Sequence, residues 1–91
     1  MDEINAAPKR GTKEEAFWTR FRKRLIRQRR ASGVSQRQLA KLANYNSKQS
    51  ISNIEHGRQR PDLYRACMMA TALKIDLDHL VAAKPIERQT T

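Results

Sequence analysis

The stretch Gly33–Gly57, GVSQRQLAKLANYNSKQSISNIEHG, constrains the fold more than any other part of the chain. It carries two short runs of helical period separated by a polar break. Ser35 with Gln38 three residues later has the spacing of a capping box, so a helix is expected to start there. Val34 before that cap and Leu39 after it have the spacing of a hydrophobic staple. Leu39, Ala40, Leu42 and Ala43 are the expected buried side, the alanines allowing close helix–helix approach. Asn44 suits a stop, because asparagine tolerates the left-handed conformation a helix end needs. Tyr45 follows as an apolar plug with a wet hydroxyl. Asn46 or Ser47 then caps a second short helix, running to about His56 and stopped by Gly57. On it only Ile51 and Ile54 are large and apolar, while Lys48, Gln49, Ser52 and Asn53 point elsewhere. A core helix would not place amides and hydroxyls at so many positions, and a partnerless surface helix would more often carry Glu/Lys pairs. The amide-rich face is therefore suited to entering a nucleic-acid groove.

The flanking sequence supplies support for this pair. Thr12 and Glu15 have capping spacing, and Glu14 and Glu15 suit the positive end of a helix dipole. Phe17, Phe21 and Leu25 recur at i, i+4 and i+8 with Trp18 beside them, giving one inward stripe. The other faces of this first helix carry Arg20, Arg22, Lys23, Arg24, Arg27 and Arg30, and Ser32-Gly33 ends it. Beyond Gly57, Arg58-Gln59-Arg60-Pro61 is a basic loop. Asp62 is expected to cap a fourth helix, Leu63–Leu73, with Leu63, Ala66, Cys67, Met69, Ala70 and Leu73 in the core. Lys74 closes it where glycine would be easier, Ile75 re-enters the core, and Asp76 caps a last short helix carrying Leu77, Leu80 and Val81. The fold class expected is all-α, five helices over residues 13–83, with the two-helix unit at about 35–56. Met1–Thr12 and residues 84–91 are expected to be a disordered arm and tail.

Ninety-one residues make one domain, too small for an enzyme cleft or a second regulatory domain beside it. A formal net charge of +10 attracts polyanions: DNA, RNA or an anionic membrane surface. The single Cys67 excludes an internal disulfide framework, and no CxxC pair suggests zinc. No apolar run approaches a membrane span and no signal-peptide core precedes the first helix, so a cytoplasmic protein is expected. His56 and His79 lack a third ligand, and no nucleophile stands beside a base. No metal, cofactor, small-molecule ligand or enzymatic activity is expected.

The residues that punctuate these helices also carry a resemblance. Arg29, Gly33-Val34-Ser35-Gln36, Leu39-Ala40, Ile51-Ser52-Asn53-Ile54-Glu55 with Gly57, Pro61, Ala70 with Leu73, and Ile75-Asp76-Leu77-Asp78 with Leu80 together resemble the Cro/phage-repressor (XRE-type) helix-turn-helix family. The resemblance runs from about Phe21 to Val81 and implies a lambda-repressor-like domain that binds double-stranded DNA as a transcriptional regulator. It implies that Ser35 and Gln36 brace on phosphate, that Gln49 and Asn53, then Lys48 and Ser52, face base edges, and that Arg58 and Arg60 follow the phosphates. Arg37, Lys41 and Ser47 are assigned to phosphate with them. Arg29 and Glu55 stand where similar proteins pair an arginine with a glutamate. Such proteins usually act as homodimers on near-palindromic operators, most often as repressors. The last helix (Leu77, Leu80, Val81), helped by Trp18, is the expected dimer surface. The sequence departs from the family in one extra residue between Ala40 and Ile51, in Gln28 at a position that is commonly apolar, and in the Phe17-Trp18 extension. Two alternatives stay open. One is an antitoxin or controller whose main partner is another protein, such as a toxin or second regulator. The other is a basic RNA- or membrane-surface protein acting through its arginine-rich first helix.

Overall fold

A computed structural model describes residues 12–82. The expected arm and tail lie outside the described residues, except Thr12, which belongs to the first helix as its cap. Among the described residues there are five helices and no strand: α1 (Lys13–Ala31), α2 (Gln36–Leu42), α3 (Lys48–Glu55), α4 (Leu63–Ala72) and α5 (Asp78–Val81).

Four of the five starts are built by side-chain caps. Thr12 Oγ1 accepts from the Glu15 amide at 3.0 Å. Ser35 Oγ accepts from Gln38 N while Gln38 Oε1 accepts from Ser35 N, a complete capping box. Ser47, not Asn46, caps α3. Asp62 Oδ1 accepts from Arg65 N at 2.8 Å and its other oxygen pairs with the Arg65 guanidinium at 2.8 Å. These contacts, the backbone N–H of Arg65 foremost, hold the Asp62 carboxyl below the usual carboxylate range.

The same device ends α1, α2, α3 and α4. The residue after the cap takes a left-handed conformation, at Gly33 (φ 73°), Asn44 (68°), Gly57 (79°) and Lys74 (60°). Its N–H and the next one return to carbonyls of the last turn, as in Gly33 N to Arg30 O and Val34 N to Arg29 O. Val34, Tyr45 and Ile75, the residues that follow Gly33, Asn44 and Lys74, pack against the core. Three of the four stops thus return an apolar residue inward, while Gly57 is followed by the exposed Arg58.

Phe21, Leu25, Leu39, Ile51, Ile54, Met69 and Leu80 are the large side chains that are fully buried. α2 packs on α3 and α4, and α1 packs on α3 and α5, so α1 and α2 frame α3. Three expected core residues are corrected. Leu42 is 50% exposed and Leu63 is 72% exposed, and Cys67 is also exposed. At about 100° per residue, Leu42 lies outside the stripe set by Leu39, Ala40 and Ala43. Cys67 likewise falls a quarter-turn off the Ala66–Met69–Ala70–Leu73 stripe, and the first turn of α4 projects beyond that stripe. Asp76 does not cap α5: the position before the helix is Leu77, and no side-chain hydrogen bond is made there.

α5 is instead held from its other end. Arg24 Nη1 donates to the Ala82 carbonyl at 2.7 Å and to His79 O at 3.4 Å, and Arg20 Nε donates to Ala82 O at 3.2 Å. A one-turn helix leaves its last carbonyls without intrahelical partners. Two arginines of α1 supply them.

Candidate nucleic-acid interface

Ser47 sits in extended conformation (φ −155°) and its hydroxyl accepts from the Gln49 amide at 3.3 Å, so α3 begins at Lys48. The connection between the two helices spans Ala43–Ser47. Ile51 and Ile54 are buried, which turns Lys48, Gln49, Ser52 and Asn53 to the other side of the helix. Gln49 Nε2 donates to Asn53 Oδ1 at 3.1 Å, and Asn53 Nδ2 donates to Gln59 Oε1 at 3.4 Å. Three amides therefore form one row from the first turn of α3 into the loop beyond it. Gln59 was not among the sequence candidates; it lies two residues past a helix stop, where no periodicity places a side chain. Ser52 is engaged by His56, whose Nδ1 lies 2.7 Å from the Ser52 carbonyl and 3.5 Å from its hydroxyl.

The inner edge of α3 is tied to both neighbouring helices through Glu55. Arg29 Nε donates to Glu55 Oε2 at 2.6 Å and Arg29 Nη2 to Oε1 at 3.2 Å, a forked contact. Gln36 Nε2 donates to the same Oε1 at 2.9 Å, and Arg29 Nη1 reaches Val34 O at 2.9 Å. The Arg29 and Glu55 side chains are only 12% and 6% exposed. The expected ion pair is present, with Gln36 as an added member. The side-chain amide of Gln36 thus faces Glu55 rather than solvent.

The remaining candidates divide by whether the fold already engages them. Arg37, Lys41, Lys48 and Arg58 are exposed and have no acceptor among the described residues. Arg37 and Lys48 border a concavity of about 440 Å³ between the starts of α2 and α3, with Ser35, Gln36 and Arg29. Arg60 pairs with Glu14 at 2.7 Å, and its guanidinium lies 5.2 Å from the Trp18 ring. Trp18 is half-buried, edge-on to Phe17 and Phe21, and lines a groove with Gly57 and Arg60. Leu80, expected at a dimer surface, is fully buried in the core of this chain; Leu77 and Val81 are half-buried. The large exposed apolar side chains are Leu63 and Tyr64 at the start of α4 and Leu42 at the end of α2.

Gly57 is required for its backbone: its φ of 79° is unfavourable for other residues, whereas the Arg22 guanidinium, 3.3 Å from where a Cβ would stand, ends a flexible side chain that can give way. Among the described residues no group of acidic, histidine and cysteine side chains could hold a metal ion, and no helix is long and apolar enough to cross a membrane.

Known proteins share this fold. The helix-turn-helix family model matches residues 25–80. A crystal structure of the restriction-modification controller protein C.AhdI from Aeromonas hydrophila aligns at 30% identity with a TM-score of 0.64. That alignment covers 74% of this chain and 97% of the other. A hypothetical transcription factor, NHTF from Neisseria, shares the fold at 22% identity and a TM-score of 0.67, over 84% of this chain and 86% of its own. No curated protein matches by sequence.

Proposed function

The chain belongs to the XRE-type helix-turn-helix family of DNA-binding transcriptional regulators, and we propose that it acts as a homodimeric repressor of a near-palindromic operator. The observation that carries this reading is the outward face of α3. A row of neutral amides, Gln49–Asn53–Gln59, is flanked by Arg37, Lys41 and Lys48, none of which has an acceptor of its own. Glutamine and asparagine amides match the N6/N7 pair of adenine, and lysine matches O6/N7 of guanine. The hydrogen bonds within the row are neutral, and the Gln49–Asn53 bond is exposed, so base edges can replace it at small cost. Gln49 and Asn53 read, Lys48 and Ser52 assist, and Arg37, Lys41, Arg58, Ser35 and Ser47 hold phosphates that set register. Arg60 joins them by leaving Glu14, an exposed pair worth little.

Two copies would place their recognition helices about 34 Å apart on one face of the duplex. Leu77 and Val81 contribute to that partner surface, and Leu63 and Tyr64 at the start of α4 offer further exposed apolar area. Within this class the reading favoured is a small controller, because a restriction-modification controller is 30% identical over nearly its whole length. A toxin or second regulator as main partner has no comparable support. The reading of α1 as an RNA- or membrane-binding arginine stripe is weakened by Arg20 and Arg24, which are engaged with α5.

In vitro selection of duplexes at ~150 mM salt tests the proposal, since nonspecific binding dominates at low salt. A two-fold symmetric consensus bound by two copies is expected. Selection that returns no consensus, or a monomer on and off DNA by sedimentation, would sink it.

A further inference from the structure

Of the three amides in the row, Gln59 alone lies outside α3, and the chain anchors it from both sides. Before it, the Arg58 amide donates to the Asn53 carbonyl at 2.8 Å, which folds the chain back along α3 beyond Gly57. After it, Pro61 is buried. Between these anchors Gln59 is half-buried, and its Oε1 accepts from Asn53 Nδ2 at 3.4 Å. The bond is long for an amide pair, but it is partly screened from water, unlike the exposed Gln49–Asn53 bond. Asn53 thus has one bond that a base edge displaces readily and one that the fold supports.

Glutamine carries an acceptor and two N–H donors, and in the structure it is the acceptor that meets Asn53. That choice fixes what Asn53 shows outward. One N–H of Nδ2 is committed to Gln59. Once a base edge replaces the Gln49 bond, Asn53 presents Oδ1 and its remaining N–H, the acceptor and donor that match N6 and N7 of adenine. A donor at position 59 would bind Oδ1 instead and leave Asn53 with N–H groups alone, which suit the O6/N7 acceptor edge of guanine. We propose that Gln59 is a specificity-determining positioning residue: its hydrogen bond to Asn53 sets that side chain to read adenine. The inference rests on the operator-binding reading above. It gives a loop residue beyond the recognition helix a choice of base that α3 alone does not make.

Duplex selection at ~150 mM salt with the unaltered chain and its variants tests this, with folding checked by thermal melts. Asn53→Ala identifies the base pair that Asn53 reads, as the one whose preference disappears. Gln59→Glu, which can only accept, should keep adenine there. Gln59→Lys, which can only donate, should lower the adenine preference by about 5-fold or more and raise guanine. The added charges shift affinity for every duplex alike, so the readout is the ratio between duplexes. With Asn53→Ala already in place, Gln59→Lys should change nothing at that pair. A change there would mean that Gln59 touches the base itself, and would overturn the proposal. An adenine preference equal in Gln59→Glu and Gln59→Lys, the mark of a merely structural side chain, overturns it too, as does an Asn53→Ala chain with an unchanged consensus. An unaltered chain that returns no consensus defeats the operator reading and the proposal with it. A consensus that neither substitution at position 59 moves overturns the proposal alone.

Discussion

α1 and the α2–α3 face are both strongly basic, yet three arginines of α1 are engaged inside the fold and the cations of the α2–α3 face are not. In α1, Arg20 and Arg24 donate to the carbonyls ending α5, and Arg29 forks onto Glu55. On the α2–α3 face, Arg37, Lys41 and Lys48 meet no acceptor in the fold. The difference lies in what each helix packs against. α1 runs beside the exposed carbonyl end of a one-turn helix and beside a buried glutamate. The outer flank of α2 and the start of α3 have only each other. Charge count therefore says little about which arginines bind outward; the supply of internal acceptors decides it.

The sharpest way to break this contrast is at Glu55. Glu55→Gln leaves Arg29 partly buried without its counter-charge and should cost about 3 kcal/mol or more. For a domain of this size that lowers the thermal midpoint by about 12 °C or more. An unchanged melt would remove the pair from the account. Gln49→Ala acts on the other side of the contrast. It should lose about 1–3 kcal/mol of discrimination between the selected operator and its variants, measured by competition binding, while stability stays within about 0.5 kcal/mol. Arg24→Ala should lower stability in denaturant titrations by about 1–2 kcal/mol, the range for hydrogen bonds from a partly exposed charged donor. A stable Arg24→Ala protein would show that α5 does not need this clamp.

Smaller effects sharpen the account of how the unit is held. Ser35→Ala removes one arm of a complete capping box and should cost about 1 kcal/mol, with Ser35→Asp restoring most of it. Least of all, Asp62 should give α4 an acid-sensitive start. Its carboxyl is lowered in the folded state, so its contribution is full above the ordinary carboxylate range and is lost as pH falls through its folded value. Asp62→Asn keeps a cap and removes the titration, so the acid limb of stability against pH should flatten.

The helices themselves were legible because their ends are chemical. Thr12, Ser35 and Asp62 cap, and Gly33, Asn44, Gly57 and Lys74 stop, as their side chains or backbone freedom dictate. The Arg29–Glu55 pair followed from family position. What the sequence left hidden depends on contacts distant along the chain. Arg20 and Arg24 find carbonyls more than fifty residues away. Gln36 turns to Glu55, and Gln59 joins the amide row, through tertiary geometry that no local spacing encodes. Leu63 and Cys67 show the same limit from the apolar side: composition marked them for the core, but helix phase and the projecting first turn put them outside.

The central claim is that outward-facing cations of the α2–α3 face, not the internally engaged Arg20 and Arg24 of α1, meet the DNA. The salt dependence of operator binding for Arg37→Ala and Arg24→Ala, each compared with the unaltered chain, tests it most directly. Arg37→Ala should reduce the slope by about one phosphate contact and Arg24→Ala should leave it unchanged. A slope that falls for Arg24→Ala and holds for Arg37→Ala would contradict the account.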